Sequence, residues 1–206
     1  MKKFESQTHY QRFMLGQICG FLPLLCLMFG VFGEIRGTNN PEWYFSISAT
    51  YFANSNMCMI GSLCLCSFFL FTYKGYDLGD RFYTMVSAIS ALLIVACPCA
   101  ATEAEYIGLF ALPAKVSDVV HMVSAATLFG SFALMTLTQF TKGNNKRKNA
   151  IYRTCGYIML LFMCFIVLSA LCGLPGYMTM ICEAGMLEAF AFAWIVKSGA
   201  IQIKEM

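Results

Sequence analysis

Charge is what this sequence lacks most, because Asp, Glu, Lys and Arg together supply only 12% of its 206 residues. Soluble domains carry about 25% charged residues, so with 59% hydrophobic residues the composition argues against a soluble domain. The net charge of +3 is small. Since no folded basic surface accompanies it, a nucleic-acid partner is not expected.

Long polar connections are also missing, and six apolar runs fill most of the chain. They cover about residues 14–33, 57–73, 82–98, 119–140, 153–173 and 178–196. Each is close to the roughly 20 residues that cross a hydrocarbon core of about 30 Å. In lipid such runs must satisfy their own backbone hydrogen bonds, which favours helices. The sequence therefore predicts an all-α fold, a six-transmembrane-helix bundle forming one domain over residues 1–206.

No small-residue cleavage site follows the first apolar run, so that run is predicted to be a retained signal-anchor helix. If the N-terminus is cytoplasmic, all but two of the fourteen Lys and Arg residues, Arg36 and Lys115, lie on the inner side. This bias predicts that both termini are cytoplasmic. The expected location is the plasma membrane, which is the inner membrane in a bacterial cell.

Gly16 and Gly20 in the first run have the G-x-x-x-G spacing that lets two helices approach closely. A helix contact inside the bundle is favoured over an interface between two copies of the chain. A homo-oligomer stays an open alternative.

The longest polar and aromatic passage is Pro41–Met57, which includes Trp43 and Tyr44. Trp and Tyr favour the membrane–water boundary, so this passage is predicted to cap the bundle at the outer surface. Its serines, Ser46 and Ser48 among them, suit either of two roles. They could cap nearby backbone, or they could contact a ligand.

The fourth run carries a polar stripe. Its members recur at intervals of three, four or seven residues and are Ser117, His121, Ser124, Ser131 and Thr138. Such a stripe should face the bundle. Asp118 lies three residues before His121, close enough to pair with it. The carboxylate could then fix the imidazole tautomer or raise its basicity.

The sixth run contains two acids, Glu183 and Glu188. Five residues separate them, which places them about 140° apart around a helix. We expect Glu183 to belong to an outward site with His121. Glu188 is expected near mid-bilayer, in a structural or proton-linked role.

Sulfur is abundant, with eleven cysteines and fourteen methionines. Many are expected at the outer end, including the Cys97-Pro98-Cys99 sequence, and thiolate and thioether ligands select Cu(I). In an oxidising space a disulfide is the other possibility; the candidates are Cys58, Cys97, Cys99, Cys172 and Cys182.

Several short motifs resemble those of a family of small, uncharacterised six-span bacterial membrane proteins. They are S-I-S-A-T-Y (Ser46–Tyr51), Gly61–Leu63, F-x-Y-K-G-Y-D (Phe71–Asp77), H-x-x-S-A-A (His121–Ala126) and Ile151–Gly156. The resemblance implies the six-span architecture and lends no known activity.

Ser48–Phe52 is also faintly similar to the S-x-x-x-H element of the alkaline ceramidase and progestin/adiponectin receptor superfamily, which implies a zinc-activated water. Here Phe52 takes the histidine position and His121 is the only histidine within the bundle. Catalytic zinc normally has three protein ligands, so this pattern is incomplete.

The predicted site is an outward-facing polar pocket between spans two, four and six. Its expected ligand-binding residues are Ser46, Ser48, Tyr51, Asp118, His121 and Glu183. The expected ligand is a lipid headgroup or a small amphiphilic or ionic solute, bound or transported, with membrane lipids as partners. No cofactor and no metal are predicted as part of this pocket. Three alternatives stay open: a hydrolase using Ser46 or Ser48 with His121 and Asp118, a copper-binding protein, and a partner-binding scaffold.

Overall fold

The computed structural model describes residues 2–30, 46–75 and 77–203, with side chains in the first helix described from Gln7 to Phe29. Within these ranges the chain forms six α-helices. They are α1 (Lys2–Gly30), α2 (Asn56–Thr72), α3 (Leu78–Ala96), α4 (Ala114–Thr138), α5 (Lys146–Leu171) and α6 (Tyr177–Ser198). The other described elements are two short 3-10 helices, Ser48–Phe52 and Phe140–Lys142, and a pair of antiparallel strands, β1 (Tyr106–Ile107) and β2 (Leu112–Pro113).

The helices form a closed ring, in which each packs on the next in sequence and α6 packs back on α1. His9 Nδ1 lies 2.6 Å from the Ser198 carbonyl oxygen, so the described ends of the chain meet at one end of the ring. Among the described residues, five helices are long and apolar enough to cross a membrane: α1, α3, α4, α5 and α6. The helix α2 is apolar but has only 17 residues. The predicted all-helical membrane fold is confirmed at this level.

Each predicted apolar run overlaps one of these helices, but the ends differ. The helix α1 begins at Lys2, well before residue 14, because the polar residues ahead of the apolar run continue the helix. Arg12 is buried there, and its Nε donates to the Tyr73 hydroxyl at 3.1 Å. Residues 31–45, which include the predicted end of the first run and the aromatic cap at Trp43, lie outside the described residues.

The start of α3 is fixed by Asp77, whose Oδ1 accepts a hydrogen bond from the Asp80 amide at 2.9 Å. This is the capping arrangement typical of Asp before a first helical turn. Lys142 Nζ donates to the other carboxylate oxygen. That bond and the amide bond lower the pKa of Asp77 from its ordinary value.

Inside the ring, aromatic side chains fill the half of the bundle nearer the chain ends. The Phe132 and Phe190 rings stack with centroids 3.5 Å apart, and Trp194 meets Phe190 edge-on at 5.9 Å. Phe140 and Tyr73 also meet Trp194 edge-on, at 4.9 and 5.1 Å. All five side chains are essentially buried, so they anchor α4 and α6 to their neighbours.

The polar stripe on α4 faces the interior as predicted, except at its last member. Ser117, His121, Ser124 and Ser131 are buried. Thr138 is exposed and donates to the Leu134 carbonyl, so its predicted place in the stripe is wrong. A straight helix drifts by about 20° per seven residues. Over the three heptads from Ser117 to Thr138 the drift reaches about 60°, which carries Thr138 off the buried face.

The G-x-x-x-G spacing serves packing within the bundle. A Cβ atom on Gly16 would lie 2.6 Å from Ile195 Cγ1 and 3.0 Å from the Ala191 carbonyl oxygen. A Cβ atom on Gly20 would lie 3.3 Å from Ala191 Cβ. The preferred interpretation, an internal helix–helix contact, is therefore confirmed.

A leucine at position 16 is expected to destabilise the fold by about 1–3 kcal/mol, because its side chain must force α1 away from α6. Gly61 offers a matched control on α2, since a Cβ atom there would meet nothing within 4 Å. Thermal unfolding in detergent should therefore show a lower midpoint for Gly16→Leu and an unchanged or higher midpoint for Gly61→Leu. Equal shifts would contradict the close α1–α6 contact.

Candidate functional site

A cavity of about 340 Å³ lies at the end of the ring opposite the chain ends, between α4, α5, α6 and two connecting segments. One side of it is polar; the side chains there are Ser46, Ser48, Asp118, His121, Thr179 and Glu183. The other side is apolar and includes Ala125, Phe129, Met163, Ile166, Val167 and Met186. A cavity with a polar end and an apolar wall suits a molecule that has both characters.

The segment 97–101 forms part of the rim, and the β1–β2 hairpin holds it in place. Gly108 has φ +78°, and a Cβ atom there would lie 2.5 Å from the Ala96 carbonyl oxygen. The following amide, Leu109 N, donates to that same carbonyl at 2.9 Å. Only glycine permits this combination of backbone angle and close approach, which seats the hairpin on the end of α3.

Glu183 fastens the segment before α2 to α6. Its Oε2 accepts from the Ile47 amide at 2.6 Å and from Ser46 Oγ at 2.9 Å. Ser48 Oγ lies 3.4 Å from Oε1, and Ser46 Oγ also accepts from the Ser48 amide at 3.0 Å. Glu183 is only 8% exposed. Ser46 therefore caps local backbone, and both serines line the cavity.

His121 is held in one tautomer by the rim. Its Nδ1 lies 2.9 Å from the Cys97 carbonyl oxygen, which can only accept, so Nδ1 carries the hydrogen. The neutral ring then presents a lone pair on Nε2, which is buried with no hydrogen-bond partner among the described residues. The Ile94 carbonyl also lies near the ring without forming a hydrogen bond of good geometry. His121 is thus a buried acceptor at the cavity wall.

Asp118 does not orient His121. Its Oδ1 accepts from the Ala100 amide at 2.9 Å, and Ser117 Oγ donates to the Pro98 carbonyl at 2.7 Å. The first turns of α4 thus bind the segment 97–100. The expected role of Asp118 in fixing the tautomer is wrong, because the Cys97 carbonyl reaches Nδ1 instead.

Five of the six predicted site residues meet at this cavity, and Tyr51 does not. Its ring packs edge-on against Phe52 at 5.0 Å and against the hydrophobic core. No residue of α2 lines the cavity, whereas α5 supplies Met163, Ile166 and Val167. The prediction that span two forms the third wall is therefore wrong. The part of α5 that lines the cavity is apolar throughout and gave no signal of its role.

The hydrogen bonds do not link serine, histidine and aspartate into a relay. Ser46 and Ser48 donate to Glu183, and His121 bonds the Cys97 carbonyl. Nucleophilic catalysis needs a base within hydrogen-bond reach of the hydroxyl. The group that the two serine hydroxyls reach is Glu183, not His121.

The described cysteine thiols do not gather into a metal site. Across residues 2–30, 46–75 and 77–203, no group of three or more His, Cys, Asp or Glu side chains could hold a metal ion. All eleven cysteines are free thiols, so none of the candidate disulfides is formed. Burial, with smaller effects of Glu183 and Asp118, raises the pKa of Cys99 to about 12. Its thiol therefore stays protonated at neutral pH, the form that is weakly nucleophilic and a poor metal ligand.

The fold and the cavity together indicate an integral membrane protein of the helical-bundle class, with a small cavity at one end. Comparisons with protein-family models, with curated proteins and with solved structures found no match to this chain. The resemblance to the small six-span bacterial membrane proteins stays a prediction.

Proposed function

We propose that this chain is a six-span protein of the plasma membrane, the inner membrane in a bacterial cell, and that its cavity binds a lipid or small amphiphile for storage or transport. The helix α2 supplies the sixth crossing, since 17 residues extend about 25 Å. Both termini are cytoplasmic. Lys74, Arg81, Lys142 and Lys197 support this orientation, because they lie at the end of the ring where the chain ends meet.

The observation that carries the proposal is the cavity's division into two sides. Asp118, His121 and Glu183 lie at the polar side, while α4 and α5 supply an apolar wall. Two wall residues, Met122 and Val167, are 55% and 59% exposed on the outer surface of the ring. The apolar wall therefore continues to the surface that faces lipid, which gives an amphiphile a lateral way in from the bilayer.

Native mass spectrometry of the purified protein tests this proposal by identifying what stays bound. Two variants on α4 give a matched comparison. Ala126→Trp places a bulky ring on a residue that lines the cavity, whereas Val119→Trp places the same ring at another exposed position outside the cavity. Wild type and Val119→Trp should retain a bound amphiphile, and Ala126→Trp should lose it.

His121→Phe is the second test, because it keeps the ring volume and removes the buried acceptor. We expect retention of the amphiphile to fall as it does in Ala126→Trp. If Ala126→Trp, Val119→Trp and wild type retain the same molecules equally, those molecules are bound elsewhere and the proposal is wrong.

A further inference from the structure

The hydrogen-bond donors around the cavity are already in use. The Ser46 and Ser48 hydroxyls donate to Glu183, and the Ala100 amide donates to Asp118. The Ala101 amide donates to the Cys99 carbonyl. The Thr179 hydroxyl, which can both donate and accept, is the main exception along the polar side.

The other polar groups that can still form a hydrogen bond with a ligand are acceptors. Oδ1 of Asp118 is bonded, and its Oδ2 is an acceptor at a half-buried position. His121 Nε2 has no partner, and its Nδ1 already donates to a carbonyl. Among the described residues, no lysine or arginine side chain lines the cavity. The polar side therefore presents the carboxyl oxygens of Asp118 and Glu183 and the Nε2 lone pair of His121, with no cationic side chain beside them.

We propose, building on the proposed function, that the cavity selects an amphiphile whose head donates hydrogen bonds, and that a primary ammonium head is preferred over a carboxylate. An ammonium group has three donors and no acceptor, which complements Asp118 Oδ2 and His121 Nε2. A carboxylate head brings no donor to these acceptors and would place a second negative charge beside Asp118. In a partly buried site this repulsion is only weakly screened.

The volume limits how much of the ligand is enclosed. A cavity of about 340 Å³ is at the lower end of the range for small-molecule sites. It suits a head and the first part of one chain, while the rest of the chain lies along Met122 and Val167 toward the bilayer. A single-chain amphiphile is therefore the simplest probe.

Three probes with the same chain and different heads test the inference: dodecylamine, dodecanol and dodecanoate. Each is added at the same bilayer mole fraction to the full chain in lipid nanodiscs at pH 7, where a primary amine is protonated. Occupancy is then read by native mass spectrometry. We expect the amine to exceed the carboxylate by about tenfold, with the alcohol between them.

Asp118→Asn isolates the site's own charge, because asparagine keeps an oxygen acceptor for the Ala100 amide. Glu105→Gln removes the same charge from an exposed position at the same end of the ring, outside the cavity. Asp118→Asn should reduce the preference for the amine several-fold, and Glu105→Gln should leave it unchanged. Equal effects of the two variants would assign the preference to general surface charge and overturn the inference.

The other outcomes separate the inference from the proposed function. If dodecanoate binds best, His121 is protonated in the complex and the ligand class is wrong, while the cavity's binding role stands. If none of the three probes binds wild type, the proposed function and this inference are both overturned.

Discussion

Replacing Glu183 with leucine is expected to lower the free energy of unfolding by about 2–5 kcal/mol, because at least two buried donors lose their acceptor. Those donors are the Ile47 amide and Ser46 Oγ, which meet Oε2 at 2.6 and 2.9 Å. No other side chain of the described residues accepts from these two donors. Thermal and denaturant unfolding in detergent measure the loss. Hydrogen exchange should also show faster exchange at the Ile47 amide.

Glu188→Leu is the control, since it makes the same change one and a half turns further along α6. Glu188 is exposed on the surface of the ring, and the structure gives it no hydrogen bond to the described residues. Removing a carboxylate from a lipid-facing position near the middle of a span should leave stability unchanged or raise it. Opposite signs for the two variants support the anchoring role of Glu183. A loss of the same size in both would refute it.

Replacing Phe190 with alanine is expected to destabilise the protein by about 3–5 kcal/mol. Its side chain is fully buried, stacked on Phe132 and edge-on to Trp194. In a bilayer the cost comes from the cavity and from lost dispersion contacts, because lipid is as apolar as the core. Denaturant unfolding followed by tryptophan fluorescence measures this loss, since Trp194 loses a ring contact.

Phe192→Ala provides the comparison, because Phe192 lies on the same helix and is 45% exposed. Phe192→Ala should lower the free energy of unfolding by less than a third as much as Phe190→Ala, because the Phe192 ring contacts lipid on its outer side. If Phe192→Ala matches Phe190→Ala, the stacked cluster is not the main support of α6.

The position of Glu183 connects these predictions to the proposed function. The same carboxylate that holds the Ser46–Ser48 segment also forms part of the polar side of the cavity. Variants of Glu183 therefore alter the shape of the cavity as well as its charge. For this reason Asp118→Asn, which keeps an acceptor for the Ala100 amide, is a cleaner probe of ligand binding than any change at Glu183.

The inward face of α4 could be read from the sequence, because polar residues in an apolar helix avoid lipid. Ser117, His121 and Ser124 are spaced by four and three residues, and all are buried. The same argument placed Glu183 inside. It failed for Thr138, which helical drift brings to the surface. The Thr138 hydroxyl tolerates lipid there because it donates to the Leu134 carbonyl one turn earlier.

The partners of these polar groups could not be read from the sequence. Asp118 and His121 are three residues apart, which suggested a pair, yet both bond the segment 97–100. Tyr51 is close in sequence to Ser48 but points its ring at the core. Local spacing gives the face of a helix, whereas the partner depends on which distant segment reaches that face.

The sequence by itself determined the class of the protein and the location of its apolar helices. Scarce charge and long apolar runs leave few alternatives, because a backbone in lipid must satisfy its own hydrogen bonds. Only the tertiary structure decided which walls enclose the cavity. The ring order brings α5, rather than α2, beside α4 and α6. Apolar side chains carry no directional bonds, so nothing in the sequence of α5 distinguishes a wall that faces a cavity from one that faces lipid.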